Sequence, residues 1–331
     1  MERFALAAAV VLGFALTAAL CSLFVPLRRV LERREQNQQP VQSEQPRPAP
    51  LRAPLWGGLC AAAGTVAAVG VGWLAACVGQ PELLGSEGRL MTRLLTALAG
   101  SLAFGAVGLA EDLARMRSPA ALGLRRDVRL LLEALAAAFV LLLLQAAGCL
   151  PRGLDVPGAG YVLLGSAVPF LWAVLMVALA ECARIAERDE GTVCGAAFVA
   201  MLALMMAEAS LGVPGLAVLP AALAGALVAL LLWAFPPARL GVGCCGSLLA
   251  AGAIGCIPLS LDMTSLTVPL ALPFWAAGGL WAAQLLGAKR TGKPLRCWVK
   301  KHKMSPETVF LCSFALSAVG YVLALALLRW C

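Results

Sequence analysis

The chain has 331 residues, of which 61% are hydrophobic and only 13% charged. That balance excludes an ordinary soluble domain, where charged residues approach a quarter of the total. The formal net charge of +8 does not point to nucleic acid, because the lysines and arginines gather in particular loops, as membrane topology demands.

Apolar runs of about 20 residues recur from end to end, each long enough to cross roughly 30 Å of hydrocarbon. Ten spans are predicted, at roughly 4–26, 54–78, 93–111, 128–149, 159–182, 192–211, 214–235, 241–260, 265–287 and 308–330. Hydrocarbon offers no water to open backbone groups, so the spans must be helices. The expected fold class is all-α, a single polytopic membrane domain over residues 1–331. The first run is read as a retained helix and not a signal peptide, because its basic cluster (Arg28, Arg29, Arg33, Arg34) follows it. The Gln- and Pro-rich segment 35–50 is expected to be a flexible tether within the domain.

Loops 27–53, 112–127, 183–191, 236–240 and 288–307 hold nearly all the basic residues, and the alternate loops are nearly bare. The positive-inside rule makes the rich loops cytoplasmic and places both termini outside. The expected location is a bacterial-type plasma (inner) membrane, crossed many times. Twelve cysteines are scattered through apolar runs without CxxC spacing, which reads as small buried hydrophobes better than as disulfides or metal ligands.

Polar residues gather in four places, all on the side assigned as cytoplasmic. Glu111-Asp112 with Arg115 end the third span, followed by Arg117, Arg125, Arg126 and Arg129. Glu181, Arg184, Glu187, Arg188, Asp189 and Glu190 end the fifth. A glycine-bounded turn, Gly243-Cys244-Cys245-Gly246-Ser247, opens the eighth, and the loop from Lys289 to Glu307 precedes the last. A single cluster at a helix mouth is usually solvated loop; four on one face mark a site. Carboxylates facing a basic loop suit metal ions and phosphates. As local ion pairs, Arg129 with Glu133 (i, i+4) and Arg184 with Glu187 (i, i+3) are expected on helical spacing.

In order and spacing these clusters resemble the polyprenyl-phosphate hexose-1-phosphate transferase superfamily (glycosyltransferase family 4), most closely the phospho-N-acetylmuramoyl-pentapeptide transferases. The resemblance implies ten spans, a homodimer, and Mg²⁺-dependent transfer of a phospho-sugar from a UDP-sugar to undecaprenyl phosphate at the cytoplasmic face, in peptidoglycan and cell-wall synthesis. The family's GTPTMGG appears as Arg52 to Gly58, its DD pair with a following Lys as Glu111, Asp112 and Arg115, and its GL…K…Q stretch as Gly123-Leu124, Arg129 and Glu133. Its nucleotide-sugar motif NxxNxxDGxDG falls on Glu181, Arg184, Glu187, Arg188, Glu190 and Gly191. Its GDTGS, whose Asp binds Mg²⁺, reads Gly243-Cys244-Cys245-Gly246-Ser247, and its PxHHHxE reads Pro294-Leu295-Arg296-Cys297-Trp298-Val299-Lys300.

On this resemblance Glu111 and Asp112 hold the catalytic acidic pair, Cys244 the place of a metal-binding Asp, and Arg296 that of a His. Arg115, Arg129, Glu181, Arg184, Glu187 and Glu190 hold substrate-binding positions. Mg²⁺ wants hard oxygen ligands, and a cysteine sulfur is soft and larger. Arg296 stays charged and cannot shuttle a proton. The expectation is a catalytically impaired member (a pseudoenzyme) that binds polyprenyl phosphate or regulates an envelope-synthesis partner. An active Mg²⁺-dependent transferase with oxygen ligands from Glu111, Asp112, Glu187 and Glu190 is the alternative, and a scaffold whose charges only pair is a third reading. A softer ion on Cys244, Cys245, Cys297 and His302 has suitable ligands but spacing unlike a standard zinc site.

Overall fold

The computed structural model describes residues 2–38, 56–79, 88–117, 123–151, 153–156, 160–163, 165, 167–187, 191–213, 215–235, 238–291 and 305–329. In chain order the elements are α1 (Glu2–Gln38), α2 (Gly57–Gly79), α3 (Gly88–Arg117), α4 (Arg126–Ala146), β1 (Gly153–Val156), β2 (Gly160–Leu163), α5 (Ala167–Ala186), α6 (Thr192–Ser210), α7 (Val218–Ala234) and α8 (Gly243–Ser260). A 3₁₀ turn (Thr264–Leu266), α9 (Thr267–Leu270), α10 (Leu272–Thr291) and α11 (Pro306–Leu328) complete them. The chain is an all-α polytopic membrane protein.

Each of the ten predicted spans coincides with a helix or a helix pair. Among the described residues, seven helices are long and apolar enough to cross a membrane, and the pair Thr264–Leu270 and Leu272–Ala283, bent by 62°, makes an eighth. The other two differ for physical reasons. Helix α4 carries Arg126, Asp127, Arg129 and Glu133 in its first two turns. Helix α7 is shorter, with 17 residues, and is buried on nearly every side, so protein and not lipid surrounds it. The bend lies between Pro269 and Pro273, since proline in a helix removes a donor and its ring strikes the carbonyl one turn back.

Two expectations are corrected or delimited. The predicted span 159–182 begins too early: Gly153–Val156 pairs antiparallel with Gly160–Leu163, Gly153 opposite Leu163 and Val156 opposite Gly160, and the helix starts only at Ala167. Gly160 has φ +73°, a conformation that glycine adopts without penalty and that turns the chain into a hairpin. Helix α1 runs through Gln38, into the predicted tether; the rest of 35–50 lies outside the described residues. The ten cysteines among the described residues are all free and mostly buried, as small hydrophobes would be.

The core is organised around α8, whose residues are all buried. Its small residues admit neighbours at backbone distance, which is how helices associate in lipid where burial of apolar surface gains nothing. Helix α3 packs antiparallel along it: Gly108 lies against the Cys244 carbonyl, Gly105 against Leu249, Ser101 and Phe104 against Gly252, and Gly100 against Cys256. Helix α2 meets the start of α8 in the same manner, with Gly57 N–H donating to Gly241 O (3.2 Å) and Gly58 N–H to Val242 O (2.9 Å). A side chain at Gly108 would strike the backbone of Cys244 and Cys245. The variant Gly108→Val is therefore expected to lose about 1–3 kcal/mol by overpacking, read as a lower unfolding temperature in detergent.

Candidate functional site

The register of α3 on α8 fixes what sits at the mouth of the bundle. One turn beyond Gly108, α3 places Asp112 at the first turn of α8, where helix N–H groups have no partner within the helix. Both carboxylate oxygens are used there: Cys244 N–H donates to Oδ1 at 3.0 Å and Cys245 N–H to Oδ2 at 2.9 Å. No side chain of α8's own N-terminal flank caps it. Asp112, 2% exposed, is thus a cap supplied from another helix, favoured by the positive end of the helix dipole.

The other predicted groups gather beside it as an alternating chain of charge. Arg115 Nη2 donates to Glu111 Oε1 at 2.8 Å, and its Nη1 lies 3.9 Å from Asp112 and 3.7 Å from Glu187. Arg129 reaches Glu181 at 2.8 Å, Glu111 at 3.7 Å and Glu133 at 3.9 Å. Arg184 donates to Glu181 Oε2 at 2.6 Å. The Cys244 thiol lies 3.8 Å from Glu187 Oε2, to which it donates. Of the two local pairs expected from spacing, Arg129–Glu133 forms, whereas Arg184 turns to Glu181. Gly123, at φ +70°, lies against Arg115 and Glu111, so the turn entering α4 closes over the chain of charge.

The structure therefore brings together Glu111, Asp112, Arg115, Arg129, Glu181, Arg184, Glu187 and Cys244, drawn from α3, α4, α5 and α8. Glu190 and Arg296 lie outside the described residues, as do Cys297 and His302. Two participants were under-read from sequence. Glu133 is fully buried, and its signals were the i+4 spacing from Arg129 and its place in the GL…K…Q stretch. Cys245 contributes a backbone amide, which no side-chain motif can reveal.

These residues do not fit a Mg²⁺ site. Both Asp112 oxygens are committed to amides, Cys244 offers sulfur in place of hard oxygen, and Glu111 is held by two guanidiniums. Among the described residues no three His, Cys, Asp or Glu side chains are placed to hold a metal ion. What the arrangement does hold is charge, fixed by buried pairs whose partners are costly to separate.

Residues 94–262 match the family model for glycosyl transferase family 4. The chain is 28% identical over 265 residues to the phospho-N-acetylmuramoyl-pentapeptide-transferase of Mycobacterium bovis (strain BCG / Pasteur 1173P2), covering 72% of each chain. It is 32% identical over 170 residues to the enzyme of that name from Desulforudis audaxviator, covering 48% of this chain and 50% of the relative. With that of Synechococcus sp. (strain RCC307) it shares 30% over 212 residues, 63% of this chain and 55% of the relative. The matched region spans half the chain and contains every residue of the charge network, and on that match the chain belongs to glycosyl transferase family 4.

Proposed function

We propose that this multi-pass membrane protein is a family 4 member impaired in transferring a phospho-sugar from a UDP-sugar to polyprenyl phosphate. Its polar mouth, on the cytoplasmic side by the distribution of lysine and arginine, serves lipid-phosphate binding or regulation of an envelope-synthesis partner. The observation that carries this reading is the commitment of Asp112 to the amides of Cys244 and Cys245. Phosphoryl transfer asks a protein chiefly to place metal ions and neutralise developing charge. Here the carboxylates neutralise arginines, and the position matching the family's metal-binding Asp donates a thiol proton to Glu187. Binding of a lipid phosphate is supported by the rim, where Arg117, Arg125 and Arg126 are exposed.

The test is UMP release from UDP-linked muramoyl-pentapeptide and UDP-N-acetylhexosamine with undecaprenyl phosphate and Mg²⁺. Release at the no-protein background is expected, and sustained turnover overturns the reading. Mass spectrometry of co-purified lipid then separates a lipid-phosphate binder from a scaffold that only pairs its charges.

A second reading, an active Mg²⁺-dependent transferase, has one observation in its favour. Glu111, Asp112 and Glu187 all converge on Arg115, at 2.8, 3.9 and 3.7 Å. A cation would have to displace that guanidinium and draw the carboxylates closer together. On this reading Glu111→Gln abolishes turnover.

A further inference from the structure

A second buried carboxyl lies away from the mouth. Glu208 sits in the last turn of α6 (Thr192–Ser210), about 20 Å along the helix from Gly195 at a rise of 1.5 Å per residue. It is 1% exposed, and its Oε2 has no hydrogen-bond partner. Among the described residues no ion pair reaches it. Water cannot stabilise a carboxylate there, and an intramembrane ionisable residue without a counter-charge marks a functional site by default.

Two features of its surroundings add to the demand for positive charge. A carboxylate near a helix C-terminus opposes the helix dipole, and Glu208 is in the final turn. Helix α8, packed beside α6, ends at Ser260, so the negative end of its dipole lies at the same end of the bundle. Beyond it, Thr264 Oγ1, Ser265 Oγ and Thr267 Oγ1 are buried without hydrogen-bond partners. Helix α11 contacts both α6 and α9: its Phe310 and Phe314 lie on Gly195 of α6, and its Gly320 lies on the Pro269 carbonyl of α9.

We propose that Glu208 is a binding site for a single positive charge, a proton or a monovalent alkali cation, at the end of the bundle opposite the polar mouth. Both sources satisfy the same chemistry, one negative charge on a buried carboxyl. The elements packed on α6 bring few other titratable groups to this end. These are Cys256 of α8 and Tyr321 of α11, with Asp262 and Arg329 just past the ends of those helices; α5 and α7 bring none there. The inference is independent of whether the mouth turns over substrate.

The test is labelling of the purified full-length chain in detergent with a hydrophobic carbodiimide, which forms a stable adduct with protonated carboxyls in apolar surroundings. Adduct position and rate are read by peptide mass spectrometry across a pH series, with sodium, potassium or choline chloride. A proton site gives an adduct on Glu208 whose rate falls about tenfold per pH unit above its titration point, alike in all three salts. A cation site gives the same adduct, slowed severalfold or more by sodium or potassium relative to choline. Absence of the adduct, or labelling insensitive to both pH and salt, overturns the proposal. Glu208→Gln, which keeps the side chain's shape, is expected to elute and unfold like the parent while losing the adduct.

Discussion

Replacing Asp112 with alanine is expected to lower the unfolding temperature of the detergent-solubilised protein by about 5 °C or more. The loss comes from three sources. Two buried amides, of Cys244 and Cys245, lose their side-chain acceptor, and an unsatisfied buried donor costs about 1–3 kcal/mol. The first turn of α8 also loses the negative charge that its dipole favours. Arg115 keeps Glu111 and Glu187, so the rest of the network limits the damage. Asp112→Asn retains one acceptor oxygen and should recover part of the loss. Cys244 and Cys245, buried in the parent, should also react faster with a maleimide in the alanine variant. If Asp112 were poised instead for a metal ion, Asp112→Asn would leave the unfolding temperature unchanged and alter only metal-dependent behaviour.

Arg129→Met is the second large effect, and it tests the network as a whole. Arg129 is the one cation shared by Glu111, Glu133 and Glu181, and its side chain is 9% exposed. Removing one partner of a buried pair leaves an uncompensated charge and typically costs about 3–5 kcal/mol. Here Glu133, with both oxygens already lacking a hydrogen bond, loses its nearest cation. Adding Glu133→Gln and Glu181→Gln to Arg129→Met removes the stranded charges and is expected to restore more than half of the lost stability. Arg129→Lys should recover less, because a single ammonium cannot reproduce the planar fork of donors. Thermal unfolding of the variants in one detergent reads all of these outcomes. A parent-like Arg129→Met would mean that the network carries no stability.

The charge network also fixes how the helices at the mouth face one another. Buried ionic groups are weak evidence for net stability but strong determinants of which groups face one another. Helices α3, α4, α5 and α8 are set relative to one another by Arg129 and Asp112, each bonded to residues on other helices. These links are made by the chain's own side chains.

Membrane class, the positions of the apolar spans and most of the charged side chains at the mouth were determined by the sequence alone. Twenty apolar residues must form a helix in hydrocarbon, and charges are tolerated only at its ends, so both follow from local composition. The hairpin at 153–163 was not legible, because four-residue strands beside an apolar run look like the start of that run. The bend between Pro269 and Pro273 was carried by the prolines, but its angle depends on the packing of α9 and α11. Which charge meets which was decided only by tertiary structure. The pairing of Arg129 with residues on two other helices depends on how α3, α4 and α5 pack together. Asp112 is the clearest case. Its sequence neighbours mark it as half of an acidic pair, and only the glycine-lined approach of α3 to α8 turns it into the cap of another helix.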